Sequence, residues 1–321
     1  MRLDIRYRTS FTYDDVVRES QNELRACPAS DEFQQLISYR VTTSPGSKIA
    51  SFTDYWGTRV DAFGHRNTHM ALEVLAEATV DTHSRSLPAR SCPPVLLADP
   101  AFIDEYAEYL ARSPHADWNS EVSNRAGEQT AIAGPDVVSM VFALHRLVGS
   151  TLHYERGVTT VGVPVNDVLA HGHGVCQDFA HLAVAFCRSQ GIPARYVSGY
   201  LFTRDETRLD DADNENWVDG SDEPVRVQTH AWFEAAIPDW GWVALDPTNQ
   251  QAVGQRHVKI GHGRDYDDVQ PLKGVFSGAA GASVTPDVEI RRLPVAEVSR
   301  PVPPGRLLQQ HQMRQQEQQQ Q

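Results

Sequence analysis

The chain has 321 residues, 40% of them hydrophobic and 22% charged, an ordinary balance for a globular protein long enough to bury two folded units. Its 42 acidic residues outnumber 29 Lys and Arg, and the net charge of −13 repels nucleic acid and anionic lipid, so neither is expected as a partner. No apolar run is long enough to span a bilayer and the opening MRLDIRYRTS lacks an apolar leader, so a cytoplasmic location is the default expectation.

Leu3, Ile5 and Tyr7 alternate with Arg2, Asp4, Arg6 and Arg8, the period-two pattern of a half-buried strand. Similar short runs follow at residues 16–24, 36–41, 60–63 and 70–80, separated by turn-forming pieces such as Thr43-Ser44-Pro45-Gly46-Ser47. This spacing predicts an antiparallel β-sandwich over residues 1–85. Its histidines, His65, His69 and His83, read as surface or turn residues. A Pro- and Ser-containing connection at residues 84–94 marks the boundary with a second unit.

The second unit, residues 95–292, begins with helices. Asp99-Pro100 offers an N-cap and a helix-start proline, and Phe102, Ile103, Tyr106, Tyr109 and Leu110 follow at helical spacing until Ser113-Pro114. Pro135 opens another helix with Val138, Val141, Phe142, His145 and Val148 on one face, where His145 reads as a packed histidine. Residues 152–170 look irregular. Residues 176–190 predict a helix with Phe179, Leu182, Ala183, Phe186 and Cys187 on its buried side, stopped by Gly191 and Pro193. Strands follow at 195–202, 225–237 and 240–245, with Pro238-Asp239 as the turn between the last two. Helices followed by a sheet argue an α+β core behind the sandwich.

Two segments carry no assigned chemistry. Residues 203–224 form an acidic insertion in which Asp211, Asp213, Glu215, Trp217, Asp219 and Asp222 fall at EF-hand-like positions. Asn216 stands where that loop needs glycine, and a solvated loop is the better reading. Residues 293–321 form a Pro- and Gln-rich tail, predicted to be disordered.

The chemistry centres on Cys176. Four cysteines show no disulfide framework, and Cys176 and Cys187 lie about 16 Å apart along one helix, too far to bridge. Cys176 follows Gly172 and Gly174 at a predicted helix start, where unpaired N–H groups and the macrodipole favour a thiolate. Cys187, inside the apolar pattern, reads as an inert buried thiol. His230 follows 54 residues later at the end of a strand, and Asp246 another 16 residues on at the end of the next. Each lies eight residues from Pro238, so a hairpin brings base and orienting carboxylate to the same side. The Cys176 N–H supplies one oxyanion donor; Tyr154, Gln177 and Trp232 are candidates for another and for contact with substrate.

Two alternatives accompany this reading. His171, His173 and Cys176, with His181 nearby, have zinc-type spacing, but on a helix His181 points about 140° away from Cys176. A noncatalytic protein-binding member of the same fold is the other, against which the complete Cys, His and Asp set counts. No metal or cofactor is expected.

These motifs resemble those of bacterial transglutaminase-like proteins in the papain-like cysteine superfamily. Gly174-Val175-Cys176-Gln177-Asp178-Phe179-Ala180-His181 resembles the nucleophile motif, His230-Ala231-Trp232 the base motif and Asp246-Pro247-Thr248 the third member. Asp54-Tyr55-Trp56-Gly57 and the strands after it are similar to the β domain that often precedes the core, and Gly263-Arg264-Asp265-Tyr266-Asp267-Asp268-Val269 resembles a stretch after it. The resemblance implies a transglutaminase-like core with Cys176 as nucleophile, His230 as general base and acid, and Asp246 as its orienter. It implies a protease, amidase or transglutaminase acting through a thioester on a protein or peptide substrate. It leaves the oligomeric state open.

Overall fold

The computed structural model describes residues 1–157, 162–204, 223–278 and 281–294. The acidic positions 211–222 and the tail beyond 294 lie outside them.

Six strands form first: β1 (Arg2–Val17), β2 (Glu19–Leu24), β3 (Gln34–Ser44), β4 (Ile49–Thr53), β5 (Arg59–His65) and β6 (His69–Thr82). Strict alternation along β6 buries Leu72, Val74, Ala76, Ala78 and Val80 on one face. These residues pack with Leu3, Ile5 and Tyr7 of β1 and with Phe63 of β5.

The helices are α1 (Pro100–Glu105), α2 (Ala107–Leu110), α3 (Ser120–Ala133), α4 (Val137–Thr151), α5 (Val165–His171) and α6 (Cys176–Ser189). Asp99 caps α1 through the Ala101 N–H, as its place before Pro100 predicts, but the helix breaks at Tyr106. Two helices appear where the sequence predicts none. The buried face of α3 is only Val122, Ala126 and Thr130, too weakly apolar to show as a stripe. α5 is seven residues long, inside the stretch that reads as irregular.

The core sheet uses β9 (Ala194–Leu201), β11 (Thr229–Ile237), β12 (Gly241–Asp246), β13 (Gln251–Ala252) and β14 (His257–Gly263), in the order β13-β12-β11-β9-β14. Phe233 and Ala235 of β11 meet Leu182, Ala183 and Phe186 of α6 in one buried cluster, so α6 lies against the centre of this sheet. Between α4 and α6, β7 (His153–Tyr154) and β8 (His173–Gly174) pair in parallel.

The expected core boundary at residue 292 does not follow the sheets. β10 (Val225–Val227) and β16 (Ala282–Leu293) extend the first unit's larger sheet in the order β10-β16-β1-β6-β3. β15 (Leu272–Ser277) joins its second sheet, in the order β15-β2-β5-β4. The cause is apolar matching: Ile290 and Val288 stand opposite Ile5 and Tyr7, and all four are buried. The two units also share a core, since Tyr200, Phe202, Val258 and Ile260 pack with the residues of the sandwich.

Candidate active site

The thiol is placed by the turn that precedes it. Gly172 ends α5 with a left-handed φ of 72°, and its N–H returns to the Val168 carbonyl at 2.9 Å. A side chain at Gly174 would place its Cβ 2.7 Å from the Asp178 side chain. That space lets Asp178, at the third position of α6, accept the Val175 N–H at 2.8 Å. Cys176 is thereby the first residue of α6, half-buried at the positive end of the helix, where the N–H groups of Cys176 and Gln177 have no intrahelical acceptor.

His230 comes from β11, opposite Gly199 of β9. Its imidazole has the Cys176 sulfur on one side, where the sulfur also faces the Thr229 carbonyl at 3.9 Å, and donates from Nε2 to Asp246 Oδ2 at 2.8 Å on the other. Burial pushes this imidazole down, but the charge and hydrogen bond of Asp246, with the Cys176 sulfur, raise it to about 10. The thiol therefore meets a protonated imidazole near neutral pH. Cys187, in the same helix, is fully buried, and burial pushes its thiol up to about 12.

Asp246 ends β12 and is completely buried. Its Oδ1 accepts the N–H groups of Thr248 at 3.0 Å and Asn249 at 3.2 Å. Its Oδ2 accepts Asn249 Nδ2 at 2.8 Å, His230 Nε2 and, at 3.1 Å, His257 Nε2. Burial raises the carboxyl, but His230 and His257 outweigh it and hold the group well below the usual carboxylate range. His145 is packed, as read from the sequence, and its Nε2 meets the Asp246 carbonyl at 2.9 Å. His257 has no motif around it. Its only sequence signal is a polar residue on the same face of β14 as Lys259, in a strand that also carries His262.

The register refines the hairpin argument. Ile237 pairs with Gly241 and Phe233 with Leu245, so the turn centres on Asp239, whose φ is 61°. Asp246 then stands level with Trp232 rather than His230. The offset is two residues, which keeps both side chains on one face.

A cleft of about 800 Å³ opens over this group and is lined by Cys176, His230, Tyr154, Gln177, Thr229 and Asn249, among others. Tyr154 is half-exposed, and its strand β7 pairs with the turn leading to Cys176. Trp232 does not belong to the cleft. Its indole shares the His230 face of β11 but is fully buried there, over Gly199, against Val197, Ala244 and Val253, and meets His257 edge-on at 5.4 Å. It cannot touch substrate.

The zinc-type spacing does not converge. His173 Nδ1 turns to Glu155 Oε2 at 2.9 Å, while His181 Nε2 accepts the Tyr266 N–H at 3.2 Å and its ring stacks on Tyr196. Among the described residues, the metal-type groups that come together are His230, Asp246 and His257, and His115, Asp265 and Asp267. In the first set Gly254 N–H occupies His257 Nδ1, which leaves the proton on the Nε2 that faces Asp246, with no lone pair to offer. In the second, the Asp265 oxygens accept the backbone N–H groups of His115 and Asp267.

Residues 123–247 match the model of the transglutaminase-like superfamily, and residues 3–81 match the bacterial transglutaminase-like N-terminal region. The chain is 36% identical over 294 residues to the uncharacterized protein ML0607 of Mycobacterium leprae, covering 91% of this chain and 99% of that one. It is 31% identical over 307 residues to the uncharacterized protein Rv2569c of Mycobacterium tuberculosis, covering 91% and 93%. The solved structure of a Cytophaga hutchinsonii protein, provisionally described as a cysteine protease, superposes with a TM-score of 0.69 at 22% identity over 92% of both chains.

Proposed function

The chain belongs to the bacterial transglutaminase-like family, and on that premise we propose that it catalyses acyl transfer from a carboxamide or peptide bond through a thioester on Cys176. The observation that carries this reading is His230, which has the Cys176 sulfur on one side and a hydrogen bond to buried Asp246 on the other.

The Cys176 thiolate attacks the carbonyl carbon, and the developing oxyanion is met by the free N–H groups at the start of α6. His230 gives its proton to the departing amine, which leaves, and the acyl group stays on sulfur. Asp246 holds the ring in the orientation that serves both steps. A second nucleophile, water or a primary amine, then gives its proton to His230 and releases the acyl group. The open cleft suits an extended peptide or a protein segment.

The test incubates the protein with a Gln-containing peptide, with and without a primary amine, and follows ammonia release, amine incorporation and backbone cleavage. Cys176→Ala serves as the blank. One of the three products is expected from the native chain and none from the variant; turnover that survives in Cys176→Ala rejects the mechanism.

A further inference from the structure

β14 brings a second imidazole to Asp246. His257 is 5% exposed, and its Nδ1 accepts the Gly254 N–H at 3.2 Å, which puts the ring proton on Nε2. That Nε2–H donates at 3.1 Å to Asp246 Oδ2, the oxygen that His230 Nε2 also uses.

We propose that His257 is a positioning residue: a neutral imidazole, held in one tautomer by the Gly254 amide, that shares the Asp246 oxygen with His230 and so limits how tightly Asp246 holds the His230 proton. The role rests on the proposed use of His230 as base and acid.

The carboxylate does not need His257 for its orientation. Oδ1 is fixed by two backbone N–H groups and Oδ2 by Asn249 Nδ2. The contribution left to His257 is electrostatic, because each donor on a carboxylate oxygen reduces its affinity for a further proton. A base must be able to give its proton up again, and a carboxylate bonded to His230 alone would hold the imidazolium more firmly still.

His257 must stay neutral to act in this way. A proton on Nδ1 would face the Gly254 N–H, donor against donor. The charged and titratable groups against the ring are Asp246, His230 and Arg256, and Trp232 closes the remaining side edge-on. Burial, with His230 and Arg256, pushes the imidazole down against the pull of Asp246.

The test measures iodoacetamide alkylation of Cys176 in the full chain as a function of pH, read by peptide mass mapping. The native profile should show a step on the alkaline side, where His230 gives up its proton. In His257→Phe this step should move to higher pH by about one pH unit, a tenfold change in proton affinity. In His257→Gln, whose amide keeps an N–H donor, it should stay near the native position. An unmoved step in His257→Phe, or one that moves down, overturns the proposal. A native profile with no step rejects the reading of His230 itself. Ring-nitrogen NMR of the native chain gives an answer independent of the variants: His257 should remain the neutral Nε2–H tautomer from about pH 5 to about pH 9. An Nδ1–H or charged ring in that range also overturns it.

Discussion

His230 Nε2 and Asp246 Oδ2 lie 2.8 Å apart, joined across two neighbouring strands that a hairpin sets two residues out of register. A protonated imidazole and a buried carboxylate at this distance stabilise each other, and the thiol on the far side of the ring gains a cationic neighbour. If this pair orients the base, Asp246→Asn should lower kcat by about a thousandfold or more with little change in KM, since the amide favours the wrong tautomer of the ring. Single-turnover and steady-state rates on whichever peptide is turned over check this; a loss confined to KM would mean that Asp246 serves substrate binding.

The same pair predicts a pH dependence of stability. His230 is raised from an ordinary value of about 6.5 to about 10, so its contribution is full below about pH 6.5 and fades as pH climbs through 10. Asp246 is held low, so its contribution is present above about pH 4 and lost on acidification. Lys259, lowered to about 8 mainly by burial, works in the opposite direction over the alkaline range but is common to both proteins compared. The gap in urea midpoint between the native chain and His230→Gln should therefore be widest between about pH 4 and pH 6.5 and should close towards pH 10. A gap that grows with pH would reverse the assigned charge on His230.

Much of this site was legible in the chain because its signals are local. Gly172, Gly174 and the apolar run after Cys176 announce a helix start, and Pro238-Asp239 announces the turn that folds His230 towards Asp246. What escaped depends on tertiary placement. His257 lies 11 residues beyond Asp246 in sequence and reaches it only because β14 pairs with the far edge of β9. β16 falls by chain order inside the second unit, and only its pairing with β1 assigns it to the first. Trp232 shares the His230 face of β11, yet Val197, Ala244, Val253 and His257, all distant in sequence, bury it.

Gly174 links the motif to the thiol. In Gly174→Ala the new Cβ would meet Asp178 at 2.7 Å and push it off the Val175 N–H. The expected loss of helix capping is about 1 kcal/mol, accompanied by slower alkylation of Cys176 as the helix start shifts. Calorimetry and iodoacetamide rates check the two effects; native stability together with a native rate would show that the close approach is relieved without moving the cap.

Glu234 provides a site-independent control. Its carboxylate is 1% exposed and meets Arg195 at 2.6 Å and Lys259 at 2.8 Å, with Arg85 at 3.7 Å. Glu234→Gln leaves Arg195 and Lys259 without a counter-charge and should destabilise the fold by about 3–5 kcal/mol, measured by urea unfolding. Below its unfolding transition the variant should still alkylate Cys176 at the native rate. A slowed rate in the folded variant would tie this cluster to the thiol's chemistry.

The most direct measurement of the central claim is acylation by p-nitrophenyl acetate, an activated ester that requires no knowledge of the natural substrate. After brief exposure and acid quench, the acetyl group should appear on the peptide that begins α6, on Cys176, with Cys27, Cys92 and Cys187 unmodified because all three are buried. His230→Ala should slow this acylation about a hundredfold or more, and Cys176→Ala should abolish it. Acetylation spread over the cysteines, or undiminished in His230→Ala, would contradict a thiolate generated by its histidine partner.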